Sequence, residues 1–125
     1  GHVTVGDYVT LAGMVAVHQF CNIGRHAFIA GGSLVRKDIP PFVKAAREPL
    51  SYVGINSVGL RRRGFSSEKI REIQNIYRIL YQKKFNNTQA INIIEAEVEA
   101  TSDRDEILVF IKDSQRGIMK GYIQN

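Results

Sequence analysis

The sequence predicts a β-helix of hexapeptide coils followed by a small C-terminal helical domain, and three observations predict it. Val5, Leu11, Val17, Ile23, Ile29 and Val35 recur every six residues without a break. The fifth position of each hexapeptide holds only compact or branched residues: Val9, Val15, Cys21, Ala27, Ser33 and Ile39. From Ser66 onward the apolar spacing changes to that of amphipathic helices.

A period of six fits neither a helix nor an alternating strand, and repeats of fixed period mark stacked architectures. Three hexapeptides close one triangular coil, each supplying one short flat face. The aliphatic residue points inward and stacks on its equivalent in the next coil, about one strand spacing (~4.8 Å) away. The expected pairs are Val5 with Ile23, Leu11 with Ile29, and Val17 with Val35. Small residues often follow the aliphatic one (Gly6, Ala12, Gly24, Ala30) and suit tight corners. The hand of the helix does not follow from the repeat.

The coils are expected to span residues 1–41, because Pro40 and Pro41 donate no ladder hydrogen bonds and should end the stack. Residues 42–65 are expected to connect the two parts, irregular over 42–60 with turn signals at Pro49, Gly54 and Gly59, and with a basic turn at Arg61-Arg62-Arg63. Residues 66–125 form the helical domain. Ser66 is a good N-cap with Glu68 in the first turn, and Ile70, Ile73, Ile76, Tyr77 and Leu80 make one apolar stripe. Asn86-Asn87-Thr88 breaks and recaps the chain before Ala90, Ile91, Ile94 and Val98. Ser102-Asp103 caps a third helix carrying Ile107, Leu108, Phe110 and Ile111.

The 125 residues are 44% hydrophobic and 23% charged, which is globular rather than disordered. No apolar run approaches the roughly 20 residues that span a bilayer. The single cysteine, Cys21, cannot form an internal disulfide, so a reducing, cytoplasmic compartment is expected. The repeat runs from the first residue and no initiator Met precedes it, so the chain is expected to be a fragment with an N-terminal continuation. The net charge of +5 sits before and at the arginine triplet, since residues 66–125 carry nine bases and nine acids. A small positive surface suits a phosphate or an acidic protein. Without base-stacking aromatics interleaved, no nucleic-acid partner is expected.

Three histidines, His2, His18 and His26, stand near the start of the chain. No carboxylate or cysteine completes an obvious ligand set, so neither a metal site nor a cofactor is expected. Spacing alone favours a surface or corner position for His26. Gly31-Gly32 reads either as relief at a corner or as part of a row without side chains, since Gly13 lies one coil earlier. Such a row suits an extended acyl chain. The arginine triplet reads equally as a phosphate-binding fork or as a solvated turn.

Several segments occur together in order: Gly1-His2-Val3-Thr4-Val5, Ala16-Val17-His18-Gln19-Phe20, Pro40-Pro41-Phe42-Val43, Gly54-Ile55-Asn56, Gly59-Leu60-Arg61-Arg62-Arg63-Gly64-Phe65-Ser66 and Arg116-Gly117-Ile118. In these the chain resembles the C-terminal half of the bacterial UDP-N-acetylglucosamine O-acyltransferase family. The His-Gln-Phe and Arg-Arg-Gly-Phe-Ser segments are specific; hexapeptides alone are shared by many acyltransferases. The resemblance implies a left-handed parallel β-helix and a homotrimer with active sites between subunits. It implies transfer of a 3-hydroxyacyl group from acyl carrier protein to the 3-hydroxyl of UDP-N-acetylglucosamine, the first step of lipid A synthesis.

Roles follow from the resemblance position by position. Gly1 matches a glycine whose N–H stabilises the thioester oxyanion. His2 matches a histidine that contacts the sugar nucleotide, and His18 and Gln19 match residues lining the cleft. Asn56 matches a uridine-side contact. Arg62 and Arg63 match a basic pair that meets phosphate and the carrier protein. Gly31 matches the position that sets acyl length, where glycine goes with longer chains. The family's general-base histidine would lie about one coil before His2, so the fragment alone is expected to be inactive. Departures are Val58 where the family often has glutamate, Pro49 where it often has histidine, and Ala46-Arg47-Glu48 in place of glutamine-glycine-asparagine. The alternatives are a related N-acyltransferase of the same pathway, against which the arginine triplet and its flanks argue, and a non-catalytic β-helix binding module.

Overall fold

The computed structural model describes residues 1–82 and 84–121, apart from the side chain of Gln82. Six two-residue strands make two triangular coils. The first holds β1 (Thr4–Val5), β2 (Thr10–Leu11) and β3 (Ala16–Val17); the second holds β4 (Asn22–Ile23), β5 (Phe28–Ile29) and β6 (Leu34–Val35). Each strand of the first coil pairs in parallel with its equivalent in the second, and the three expected pairs are all in register: Val5 with Ile23, Leu11 with Ile29, Val17 with Val35. Ile23, Ile29 and Val35 are at most 2% exposed, together with Cys21 and Ala27 of the fifth position. In the first coil, Val5 and Leu11 remain 47% and 43% exposed, because no strand of this chain covers their other side.

The small residues after the aliphatic row are set by contact distances. A Cβ on Gly6 would stand 2.7 Å from the Arg25 nitrogen, and one on Gly24 would collide with the backbone of Pro41. The corners carry a feature that composition does not suggest. His2, Tyr8, Met14, Phe20, His26 and Gly32, again six apart, all adopt the left-handed conformation, with φ between 58° and 73°. A turn this sharp needs positive φ, which costs a non-glycine residue of order 1 kcal/mol. Ring stacking along two edges of the prism offsets part of that cost: His2 on Phe20, Tyr8 on His26, and His26 on Phe42, with centroids 5.0–5.8 Å apart.

The chain past Pro40-Pro41 departs from expectation. The stack does not end there: β7 (Val43–Ala46) adds to β5 in parallel, pairing Phe28 with Lys44, and Ile23 bridges Ile39. The step from Ile23 to Ile39 is shorter than the step from Val5 to Ile23, so this coil is shortened. The prolines sit at a corner between those pairings, where the Phe42 N–H donates to the Arg25 carbonyl and no donor is required of either ring. Residues 42–60 are likewise not irregular. β8 (Ser51–Ile55) returns antiparallel to β7, and α1 (Ser57–Arg62) follows. The arginine triplet is therefore only partly a turn: Arg61 and Arg62 occupy the last turn of α1, where cations face the carbonyl end of the helix, and Arg63 caps it in the turn that follows.

Helix α2 (Ser67–Tyr77) starts at Ser66, whose hydroxyl accepts from the Lys69 N–H, and runs on as a π-helical turn over Arg78–Gln82. Helix α3 (Asn87–Glu97) opens with a capping box between Asn86 and Gln89. Helix α4 (Ser102–Asp113) is capped by Thr101, one residue before the expected cap, because the Thr101 hydroxyl reaches the Arg104 N–H. Ile70, Ile73, Ile76, Tyr77 and Leu80 are buried as the stripe requires, and Ile107, Leu108 and Ile111 join the same core as the coil interior.

Polar contacts fasten helices to coils. The buried Tyr77 hydroxyl donates to the Pro41 carbonyl. Asp38, 1% exposed, accepts from the Asn22 N–H at 2.8 Å and from the Ser114 hydroxyl at 2.6 Å. Arg25 forks onto Glu106 of α4. A last strand, β9 (Lys120–Gly121), adds to β8 in parallel. No helix among the described residues is long and apolar enough to cross a membrane.

Candidate active-site surfaces

The prism has three edges, and the expected site residues fall on all three. On the first edge, Gly1-His2 and His18-Gln19 lie in adjacent coils and are exposed. The Phe20 N–H donates to the His2 carbonyl at 3.0 Å, and the His2 ring stacks on Phe20 at 5.3 Å and 12°. His18 Nδ1 lies 3.1 Å from the Gln19 carbonyl, to which it donates in the tautomer that carries its proton there.

The second edge carries Asn56, Arg62 and Arg63, arranged around a column of rings. His26 lies between Tyr8 and Phe42, with Phe65 edge-on at 5.1 Å. It is a corner residue, as its spacing suggests, yet only 3% exposed rather than on the surface. Burial, followed by the neighbouring Arg25 charge, lowers its pKa below the usual 6.5, which favours the neutral imidazole. The Asn56 amide is already engaged: its nitrogen donates to the His26 carbonyl at 3.0 Å, and its oxygen accepts from the Gly59 N–H, capping α1. Arg63 lies 4.1 Å from the Tyr8 ring centroid, a cation–π contact that holds the guanidinium along this edge. Arg62 lines a cleft of about 220 Å³ together with Thr10, Phe28, Lys44, Asn56 and Val58.

The third edge carries Gly31. Gly32 takes the left-handed corner at φ 73°, so its glycine is explained by the turn. Gly31 itself faces Gly13: a Cβ there would stand 3.2 Å from the Gly13 carbonyl oxygen, while a Cβ on Gly13 meets nothing within 4 Å. The row is free of side chains, but neither glycine lines the cleft at Arg62.

One chain thus brings Gly1, His2, His18 and Gln19 together, and Asn56, Arg62 and Arg63 together, without joining the two groups to each other or to Gly31. Reading the sequence missed the ring column of Tyr8, Phe42 and Phe65, and Lys44 beside Arg62. The signal was present: rings at 2, 8, 20 and 26 keep the same six-residue period as the aliphatic row.

Residues 38–119 match the family model described as UDP-N-acetylglucosamine O-acyltransferase, domain 2. The chain belongs to the UDP-N-acetylglucosamine O-acyltransferase family. It is 42% identical over 118 residues to the acyl-[acyl-carrier-protein]–UDP-N-acetylglucosamine O-acyltransferase of Myxococcus xanthus, covering 94% of this chain and 46% of that protein. With the enzyme of the same name from Herminiimonas arsenicoxydans it shares 45% identity over 124 residues, 96% of this chain and 47% of that one. Among solved structures, it superposes on a UDP-N-acetylglucosamine acyltransferase from Bacteroides fragilis with a TM-score of 0.93 at 46% identity, over 94% of this chain and 46% of that chain. The Francisella novicida acyltransferase gives 0.90 at 38% identity, over 96% and 44%. The chain spans slightly under half the length of these relatives.

Proposed function

We propose that the protein carrying this chain transfers a 3-hydroxyacyl group from acyl carrier protein to the 3-hydroxyl of UDP-N-acetylglucosamine, the first step of lipid A synthesis, in the cytoplasm. The observation that carries this reading is the family match over 38–119, whose span includes Asn56, Arg62 and Arg63 on one edge. The coils are left-handed, and three copies pack side by side. Placement of the site residues on separate edges supports that assembly, because only a neighbouring copy brings one edge against another.

In this arrangement a histidine about one coil before His2 takes the proton of the sugar hydroxyl. The hydroxyl oxygen attacks the thioester carbonyl, the N–H at Gly1 stabilises the oxyanion, and the carrier's thiol leaves as the ester forms. His2, His18 and Gln19 line the sugar side. Asn56 holds the uridine end through an amide already oriented by its cap. Arg62 and Arg63 meet the phosphates and the acidic carrier protein, and Gly31 leaves room for a long acyl chain.

The test is ester formation by the full-length protein from UDP-N-acetylglucosamine and a series of 3-hydroxyacyl carrier proteins. No ester with any donor overturns the proposal. Within an active enzyme, Arg62→Ala and Arg63→Ala should each lower kcat/KM about ten- to a hundredfold, the size of a charge-assisted hydrogen bond of about 1.5–3 kcal/mol.

A further inference from the structure

A second cleft, of about 240 Å³, opens where β6 and the start of β8 meet the segment leading into β9. Its apolar walls are Leu34, Ile39, Leu50 and Met119. Ile39 and Met119 belong to the buried core, at 0% and 2% exposure, whereas Leu34 is 36% exposed and presents hydrocarbon to the opening. The charged residues around it are all cations: Arg36, Lys37 and Lys120. Two of them are held in place. Arg36 pairs with the exposed Glu48 at 3.2 Å, and the Lys37 ammonium donates to the Arg116 carbonyl at 3.0 Å, leaving two of its three protons for another acceptor.

An apolar interior with a wholly cationic set of charges has one simple chemical complement. We propose that this cleft binds a monomeric fatty carboxylate, its headgroup among Lys37, Lys120 and Arg36 and its chain against Leu34, Leu50 and Met119. The volume lies below the roughly 300–1,000 Å³ of pockets for drug-sized ligands, which suits one aliphatic chain. The headgroup gains most from Lys37 and Lys120, since Glu48 already engages Arg36 and no carboxylate lines the cleft itself. The chain gains by removing its methylenes and the Leu34 side chain from water.

Isothermal titration of the full-length protein with hexanoate, octanoate and decanoate, all below micelle formation, tests this. Affinity should rise roughly fourfold per added methylene, the equivalent of about 0.8 kcal/mol each, until the cleft is full. Octyl glucoside, with a chain but no charge, should bind at least tenfold more weakly than octanoate. Lys37→Glu combined with Lys120→Glu alters two exposed residues and should weaken decanoate binding at least tenfold without changing binding of octyl glucoside. Gly31→Met should leave decanoate binding intact. Absence of saturable decanoate binding overturns the proposal, as does equal binding by the doubly substituted protein. Loss of binding in Gly31→Met with retention in the double variant also overturns it, since the ligand then lies in the glycine row.

Discussion

Gly24→Ala isolates the contribution of close coil stacking. The added Cβ would collide with the Pro41 nitrogen and stand 2.7 Å from both Pro41 Cα and Cδ. Ordinary contact begins near 3.4 Å, so the coils must separate by several tenths of an ångström. The obstructing atoms are backbone and a closed ring, which cannot rotate away, and Pro41 is buried beneath the Tyr77 hydroxyl that donates to its carbonyl. Overpacking of this kind costs about 1–3 kcal/mol, and the rigidity of the obstacle places this case at the upper end. Gly24 does not hold a positive φ, so conformational strain does not confound the result. The assay is urea denaturation of the full-length protein and the Gly24→Ala variant, comparing midpoints at constant slope. If Gly24→Ala unfolds within roughly 0.5 kcal/mol of the unsubstituted protein, the noise of surface substitutions, close stacking of the coils does not depend on the absence of a side chain at Gly24 and the reasoning fails.

Tyr77→Phe should cost about 1–3 kcal/mol in the same assay, because it leaves the buried Pro41 carbonyl without its donor; an unchanged midpoint would mean that another donor reaches it. His26 has a lowered pKa, so the unfolded chain binds the proton more tightly than the fold does. Its contribution is therefore present above the unfolded value near 6.5 and is lost as pH falls through the lower folded value. His26→Phe, which places at this corner the residue found at Phe20 and Phe42, should flatten that part of the stability–pH curve; an unchanged slope below about pH 6.5 would refute it. Gly31→Met in the active enzyme should move preference towards shorter 3-hydroxyacyl donors by about ten- to a hundredfold, since crowding of about 1–3 kcal/mol falls only on chains that reach position 31; equal donor ratios for both proteins would place the acyl chain elsewhere.

The parts of the fold legible in the sequence are those where one side chain type is physically required at each repeat. An inward position in a stacked coil is covered above and below, so it must be aliphatic, and the register of Val5 on Ile23 follows from counting. Helix starts were legible at Ser66 and Asn86 for a similar reason, because an exposed N–H must find an oxygen three residues away. The corners were not legible, since left-handed φ is usually signalled by glycine or asparagine. Here Tyr8, Phe20 and His26 hold it, supported by stacking on neighbours one coil away. The shortened coil was hidden for a related reason. Pro40-Pro41 ends a ladder only when the prolines lie in a strand, and the shortening before Ile39 moves them to a corner instead.

The residues proposed for the site can be listed from the sequence, but where each stands in the fold cannot be read from it. Ile23, Ile29 and Val35 fill the interior of the prism, so polar groups at its edges are held apart by the core that makes the coil stable. Each edge nevertheless fixes its own group well. Phe20 holds the plane of the His2 ring, the cap on α1 orients the Asn56 amide, and the Tyr8 ring restrains Arg63. Such pre-ordering lowers the entropic cost of binding on either side of an interface. In the proposed trimer, separate rigid half-sites meet only when copies associate, which couples formation of the site to assembly. A hexapeptide prism with three similar edges is suited to that arrangement: the same repeat that keeps the half-sites apart within one chain presents flat faces on which a second copy can lie.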